Sequence, residues 1–163
     1  MNKNKKILIK IKDGGEMLLE LLPDKAPITV ENFLKLVEEG FYDGLTFHRI
    51  ISGFMIQGGD PSGNGTGGSK DKIKGEFGNN GVPNDLSHER GVISMARAMD
   101  PNSASSQFFI CHADALFLDG DYAAFGRMLE GFEELDRLAA LETNARDYPL
   151  EVPVIEKITL LED

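Results

Sequence analysis

The sequence predicts a mainly β protein, a closed eight-stranded antiparallel β-barrel capped by two α-helices. Short runs of alternating apolar residues, separated by turns rich in Gly, Asp and Pro, recur along the chain. Two other segments carry apolar residues at helical spacing. Many short antiparallel strands favour closure of the sheet, because closure removes its edges. The chain has 163 residues and neither a repeat nor a linker, so residues 1–163 are expected to form one domain.

Eight segments have the alternation and the β-branched or aromatic content that are typical of strands. They cover residues 6–12, 16–22, 46–51, 54–57, 91–98, 106–112, 122–129 and 152–161. Asp13-Gly14-Gly15 and Ser52-Gly53 are expected to form tight hairpin turns. Pro153 should leave the start of the last strand at an edge or a bulge, because proline has no backbone N–H for the ladder.

Two amphipathic helices are expected. The first should begin at Thr29, whose hydroxyl can cap a helix, and end at Gly40, where glycine suits the left-handed position after the last turn. Its apolar stripe consists of Val30, Phe33, Leu34 and Val37. The second helix should follow Gly131. Its apolar face consists of Phe132, Leu135, Leu138 and Ala139.

Composition excludes several classes of partner. The net charge of −10 opposes binding to nucleic acid and to anionic membrane surfaces. Cys111 is the one cysteine and lies in an apolar run, which favours a buried structural thiol over a nucleophile. The basic N-terminus is followed by an apolar run of only residues 7–9, too short for a signal peptide, and no run could span a bilayer. We therefore expect a cytoplasmic protein.

The chain is organised around residues 47–60, which contain an arginine within an apolar strand. Alternation places Phe47, Arg49 and Ile51 on one face, and His48 and Ile50 on the other. It also sets Phe54 and Ile56 against Met55 and Gln57, unless a turn or bulge breaks this register. A charged side chain is costly to bury without a partner. Arg49 is therefore either an edge-strand residue in a salt bridge or a fixed cation on the wall of an apolar groove, with the Gln57 amide beside it.

Other motifs give no sign of covalent chemistry. The histidines at positions 48, 88 and 112 lack close metal-ligand spacing, and Ser94 and Ser106 lie in no nucleophile elbow. Residues 63–68 read Gly-x-Gly-x-x-Gly, but no apolar helix follows to direct its N-terminus at a pyrophosphate. A nucleotide-dependent oxidoreductase is thus a weak alternative, and we expect neither a metal nor a cofactor.

Three ordered blocks of the chain match a known family. They comprise Phe47-His48-Arg49 with Gly53-Phe54-Met55-Ile56-Gln57-Gly58-Gly59-Asp60; Ile93-Ser94-Met95-Ala96-Arg97-Ala98 with Pro101-Asn102-Ser103 and Ser106-Gln107-Phe108-Phe109-Ile110; and Leu118-Asp119-Gly120 with Phe125-Gly126. These blocks resemble the cyclophilins, the peptidyl-prolyl cis-trans isomerases. The similarity extends from about Ile7 to the C-terminus without large insertions, which makes it far more specific than a single motif.

The resemblance implies roles for individual residues. Arg49 matches the catalytic arginine of the family, and Gln57 the amide that orients the substrate. The other substrate-binding residues that it implies are Phe54, Met55, Ala96, Arg97, Ala98, Gln107, Phe109, Phe117, Leu118 and Tyr122. The partners would be proline-containing peptides and unfolded or partly folded proteins. The resemblance also implies a monomer, a structural role for His48, and a surface loop at residues 58–68 beside the substrate groove.

Three positions depart from the family pattern. Arg97 stands where the family usually has Asn, Phe117 where many members have Trp, and Tyr122 where many have His. Phe lacks the indole N–H of Trp, so we expect weaker cyclosporin binding than in relatives with Trp. A non-catalytic module of the same fold that only binds proline peptides is the main alternative, and the retained Arg49 argues against it.

Overall fold

A single antiparallel sheet forms the body of the protein. The computed structural model describes residues 3–161. The strands are β1 (Lys5–Ile11), β2 (Glu16–Leu21), β3 (Phe47–Ile51), β4 (Met55–Gly58), β5 (Val92–Met95), β6 (Phe108–Cys111), β7 (Ala124–Glu130) and β8 (Ile155–Leu161). They lie in the order β3-β4-β6-β5-β7-β2-β1-β8. All eight predicted strands are present, with some ends shorter than expected.

The two edge strands of this sheet meet, which closes the barrel. Thr46 forms a bridge with Val154, immediately before β3 and β8 respectively. The Phe47 amide donates to Pro153 O at 3.1 Å, and the Ile155 amide donates to Leu45 O at 2.7 Å. The predicted closed barrel is confirmed, and Pro153 lies outside the regular ladder as its missing N–H requires.

Two helices, α1 (Pro27–Glu38) and α2 (Phe132–Ala139), bury their apolar faces in the barrel core. The expectation that Thr29 caps α1 is wrong. The helix begins at Pro27, whose fixed φ suits a first helical position. Thr29 is the third residue of the helix and is buried there, and its amide and hydroxyl donate to Glu76 Oε1 at 2.6 and 2.7 Å. The Glu76 carboxylate, from a distant segment, thus satisfies the helix N-terminus. Gly40 ends the helix with φ +71°, as predicted.

Strands β4 and β6 supply two separate apolar clusters because their side chains alternate between the faces of the sheet. Ile56, Phe108 and Ile110 point into the main core, where Phe108 meets Phe33, Tyr42 and Phe47 edge-on at ring-centroid distances of 5.4–5.8 Å. A second, smaller cluster lies on the other face. It consists of Met55, Phe109, Cys111, Ala115 and Leu118. This outer cluster positions the functional site.

Cys111 is fully buried in the outer cluster, which confirms the predicted structural thiol. Burial, reinforced by the negative charges of Asp119 and Asp114, raises the pKa of the Cys111 thiol to about 12. At neutral pH the group is therefore an uncharged thiol, and the thiolate needed for a nucleophile is absent.

Strand β3 contains a bulge that changes which side chains share a face. Phe47 pairs with Gly58 and Arg49 with Gln57, so His48 is an extra residue with no partner of its own. The prediction that Phe47 shares a face with Arg49 and Ile51 is therefore wrong. Phe47 and Ile50 enter the main core, whereas Arg49 is exposed and Ile51 packs against the outer cluster. The bulge directs the arginine onto the same face as Met55 and Phe109.

Candidate active site

A cleft lies over the outer cluster, bounded by β3, β4, β6 and the loops that follow β5 and precede β7. Its volume is about 150 Å³. The residues that line it are Arg49, Phe54, Met55, Gln57, Ala96, Arg97, Phe109, Leu118 and Tyr122. Every one of them was implied by the resemblance. The structure thus brings together side chains from four separate stretches of the sequence.

The floor of the cleft is apolar and rigidly packed. Met55, Phe109 and Leu118 are each at least nine-tenths buried, and the Tyr122 ring meets Phe109 edge-on at 5.8 Å. Phe54 stands at the rim. A floor of this kind offers an apolar ring or side chain a socket free of water.

Arg49 provides a cation at the wall of this socket. Its Nη1 donates to Gln57 Oε1 over a long 3.4 Å, and no carboxylate in residues 3–161 forms an ion pair with it. Strand β3 comes first in the strand order and meets β8 where the barrel closes. The salt bridge of the simpler interpretation is absent from the described structure. Most N–H donors of the guanidinium are therefore available to a bound molecule.

A chain of amides holds Gln57 in place. Gln57 Nε2 donates to Gln107 Oε1 at 3.0 Å, and Gln107 Nε2 donates to Gly65 O and Gly67 O at 3.0 and 2.8 Å. Both amide groups are oriented by this chain, and the Gln57 carbonyl oxygen is turned towards Arg49. The glycine-rich loop is thus connected to the cation through two side chains.

Asp60 fixes the glycine-rich loop from inside. Its carboxylate accepts the amides of Ser62, Asn64 and Gly65 at 2.8, 3.2 and 2.6 Å. These loop amides therefore point at a carboxylate of the protein, and residues 69–131 contain no α-helix that could follow a phosphate loop. Both observations argue against nucleotide binding by the Gly-x-Gly-x-x-Gly motif.

A second cavity, here called the side pocket, lies between the glycine-rich loop and the loop after β5. Its volume is about 320 Å³. It is lined by Gln57, residues 65–69, Lys72, residues 96–98, Ser103, Ser105 and Gln107. Ala98 and Gln107 thus face the side pocket rather than the cleft. The sequence did not predict that Thr66, Lys72, Ser103 and Ser105 line a cavity. The one signal was the expectation that the loop of residues 58–68 lies beside the substrate groove.

Phe117 lines neither cavity. Its side chain is 74% exposed and packs against Phe54 with ring centroids 5.6 Å apart, outside the apolar floor. A ligand longer than the cleft could reach it.

Ser94, His88 and Asp119 form a hydrogen-bonded series that resembles a hydrolase triad. His88 Nε2 lies 2.9 Å from Ser94 Oγ, and His88 Nδ1 lies 2.7 Å from Asp119 Oδ1. Burial lowers the pKa of His88 in spite of the neighbouring Asp119, which favours the neutral ring. Ser94 has no exposed surface, so no ester could reach its hydroxyl. The series supports the floor instead, because the His88 ring stacks on Phe109 at 6.0 Å.

Two further properties of the described residues bear on function. No three His, Cys, Asp or Glu side chains within residues 3–161 lie close enough together to hold a metal ion. No helix in that range has both the length and the apolar character that crossing a membrane requires.

Known proteins are similar to this chain in sequence and in architecture. A family model described as "Cyclophilin type peptidyl-prolyl cis-trans isomerase/CLD" matches residues 6–160. The peptidyl-prolyl cis-trans isomerase ppi1 of Schizosaccharomyces pombe is 43% identical over 148 residues, which cover 90% of this chain and 94% of the relative. Peptidyl-prolyl cis-trans isomerase B of Bacillus subtilis is 49% identical over 123 residues, or 76% of this chain and 82% of that protein.

Solved structures agree with these relatives. A cyclophilin-type peptidyl-prolyl cis-trans isomerase of Cryptosporidium parvum superposes with a TM-score of 0.90 at 32% identity, over 99% of both chains. A structure of that protein in the presence of the dipeptide Ala-Pro superposes with a TM-score of 0.88 at 33% identity, over 97% of this chain and 99% of the other.

Proposed function

The chain belongs to the cyclophilin-type peptidyl-prolyl cis-trans isomerase family, and we propose that its cleft binds X–Pro segments of peptides and of unfolded or partly folded proteins and accelerates rotation about the X–Pro bond. The observation that carries this assignment is Arg49, a cation without a carboxylate partner in the described structure, at the wall of an apolar socket. The family's activity requires both features in one place.

The reaction is a rotation that breaks no covalent bond. Amide resonance imposes a barrier of roughly 18–20 kcal/mol, although cis and trans X–Pro differ by only about 0.5–1 kcal/mol. In the twisted state the proline nitrogen loses conjugation and becomes a better hydrogen-bond acceptor. A donor that is placed to meet this nitrogen binds the transition state more tightly than either ground state. Rotation transfers no atom or electron, and the proposal therefore requires no cofactor.

The geometry supports a division of labour among the site residues. Met55, Phe109 and Leu118 hold the proline ring. The X–Pro peptide bond, between the preceding carbonyl carbon and the ring nitrogen, remains free to rotate. Arg49 donates towards the proline nitrogen as it loses conjugation. Gln57, fixed by Gln107, orients the peptide backbone beside Arg49. The guanidinium lies in place before the substrate arrives, so little reorganisation is needed during the reaction.

Isomerisation of a short Ala-Pro-Phe peptide tests this function. We expect the purified protein to accelerate cis-to-trans conversion strongly above the spontaneous rate. Peptide binding without acceleration would replace the isomerase by a non-catalytic proline-binding module. If the protein neither binds the peptide nor accelerates its isomerisation, both functions are refuted.

Cyclosporin binding is expected to be weaker than in relatives with Trp at position 117, and Phe117→Trp should strengthen it. Phe117 is exposed at the rim beside Phe54, where an indole N–H could donate to a cyclic peptide in the cleft. One added hydrogen bond to an exposed group should raise the affinity by roughly fivefold. A cyclosporin titration of both proteins measures this change. Leu150→Trp, at another exposed apolar side chain, is the matched control and should leave the affinity unchanged.

We also propose that residues 1–163 act as one monomeric, cytoplasmic domain that assists protein folding. The buried, unpaired Cys111 is compatible with a reducing compartment. Sedimentation would test the monomer. Faster refolding of a protein whose slow phase is proline isomerisation would test the role in folding.

A further inference from the structure

Arg97 lines the cleft, but its guanidinium donates its hydrogen bonds to backbone carbonyls of the protein itself. Its Nε and Nη2 donate to Asp121 O at 3.1 and 2.7 Å, and its Nη1 donates to Ala98 O and Met99 O at 3.0 and 3.3 Å. The side chain therefore connects the loop after β5 to the loop before β7. Few of its donors remain for a substrate.

The same guanidinium lies over two aromatic rings. Its Cζ is 4.9 Å from the centroid of the Phe77 ring and 4.8 Å from that of the Tyr122 ring. Both distances lie within the range of cation–π attraction. Tyr122 in turn meets Phe109, in the floor of the cleft, edge-on at 5.8 Å. Phe77, Arg97, Tyr122 and Phe109 thus form one continuous series of contacts from the main core to the cleft.

We propose that Arg97 and Tyr122 act as a single positioning unit for the isomerase site, an inference that rests on the proposed function. Arg97 holds the Tyr122 ring against Phe109 as a wall of the cleft. It also binds the backbone carbonyls of Ala98, in the wall of the side pocket, and of Met99 beside it. The unit sets how tightly the peptide is held, whereas Arg49 and Gln57 act on the rotating bond.

The two residues are also two of the three departures from the family pattern, and the contact explains why they occur together. An Asn side chain at position 97 is too short to reach Asp121 O and carries no cation to place over a ring. A protonated His at position 122 would face the Arg97 guanidinium with like charge, whereas the Tyr122 ring face attracts it. Each departure therefore favours the other.

A double-mutant cycle of Arg97→Asn and Tyr122→His tests the unit. For the Ala-Pro-Phe peptide we expect each single variant to raise KM about fivefold, with kcat within about twofold, since the Arg97–Tyr122 contact is lost in either case. The double variant should resemble the single variants. Arg97→Lys keeps the charge but loses the planar fork, so its KM should lie between wild type and Arg97→Asn. Arg146→Asn is the matched control and should leave both constants unchanged.

Other outcomes would overturn the unit. If the KM effects multiply in the double variant, the residues act independently. If the variants lose thermal stability but keep KM, the contact supports only the fold. The Kd of the peptide, measured by titration for all the variants, separates this inference from the function. A wild type that binds the peptide but does not isomerise it would refute the isomerase function. The double-mutant cycle, measured as changes in the Kd of the peptide, would still show whether Arg97 and Tyr122 act as one unit.

Discussion

Replacing Arg49 with alanine is expected to lower kcat/KM for an X–Pro peptide by roughly 10²–10³-fold, the loss that follows removal of one preorganised transition-state donor. The fold should be unaffected, because within residues 3–161 the Arg49 side chain makes a single hydrogen bond, the 3.4 Å contact with Gln57. Peptide affinity should change little, since the apolar floor holds the proline ring. A fall in kcat with little change in Kd would place Arg49 in the transition state.

Two further variants sharpen the Arg49 result. Arg127→Ala is the matched control, because Arg127 is also an exposed strand arginine with one 3.2 Å contact, to Glu20. It should retain full activity. Arg49→Lys keeps the positive charge but loses the planar fork of donors, so its activity should recover only in part. Full activity of Arg49→Ala would exclude the proposed mechanism. Loss of peptide binding in that variant would show that Arg49 serves binding instead.

The sequence was sufficient to predict the faces of the sheet on which the site residues of β4 and β6 lie, because these follow from alternation along each strand. Met55 and Ile56 in β4, and Phe109 and Ile110 in β6, alternate strictly, so their division between the outer cluster and the core follows from the strand geometry. The bulge in β3 could not be predicted in the same way. His48 is an extra residue only relative to β4, and the register of two strands is a property of their pairing.

Long-range partners account for the other differences. Thr29 is a reasonable cap by composition, but a buried Glu76 carboxylate satisfies the start of α1, and no local pattern indicates that contact. Lys72 and Ser105 both line the side pocket although they are far apart in the chain. The resemblance placed Arg97 and Tyr122 in the groove, yet their mutual contact appeared only in the folded structure.

Substitution of Asp60 by asparagine is expected to destabilise the protein by about 3 kcal/mol at neutral pH. The carboxylate is 1% exposed and accepts amides of the glycine-rich loop, and hydrogen bonds to a buried charged group are among the strongest in proteins. Asparagine has the same shape but no charge and one fewer acceptor oxygen. The melting temperature should fall by roughly 6–12 °C. Asp24→Asn, at an exposed carboxylate, is the control and should change little.

The Asp60 variant should also lose activity through the amide chain. Gly65 O and Gly67 O hold Gln107, which holds Gln57 beside Arg49. A loosened loop would let both amides move, and we expect kcat/KM to fall by roughly tenfold, since small displacements of positioning groups are costly in catalysis. Unchanged activity in a destabilised variant would show that the loop serves the fold alone.

The pH dependence of the Asp60 effect identifies its cause. Burial alone would raise the pKa of Asp60, but the amides of Ser62, Gly67, Gly65 and Asn64 outweigh burial and hold that pKa below its usual value. A carboxyl with a lowered folded-state pKa stabilises the protein fully above its unfolded pKa of about 3.9, and this contribution is lost as the pH falls through the folded value. The stability difference between wild type and Asp60→Asn should therefore be largest at neutral pH and shrink below about pH 4. Other carboxyls are common to both proteins and cancel in the difference. A difference that stays constant down to pH 2 would mean that the side chain's shape, rather than its charge, holds the loop.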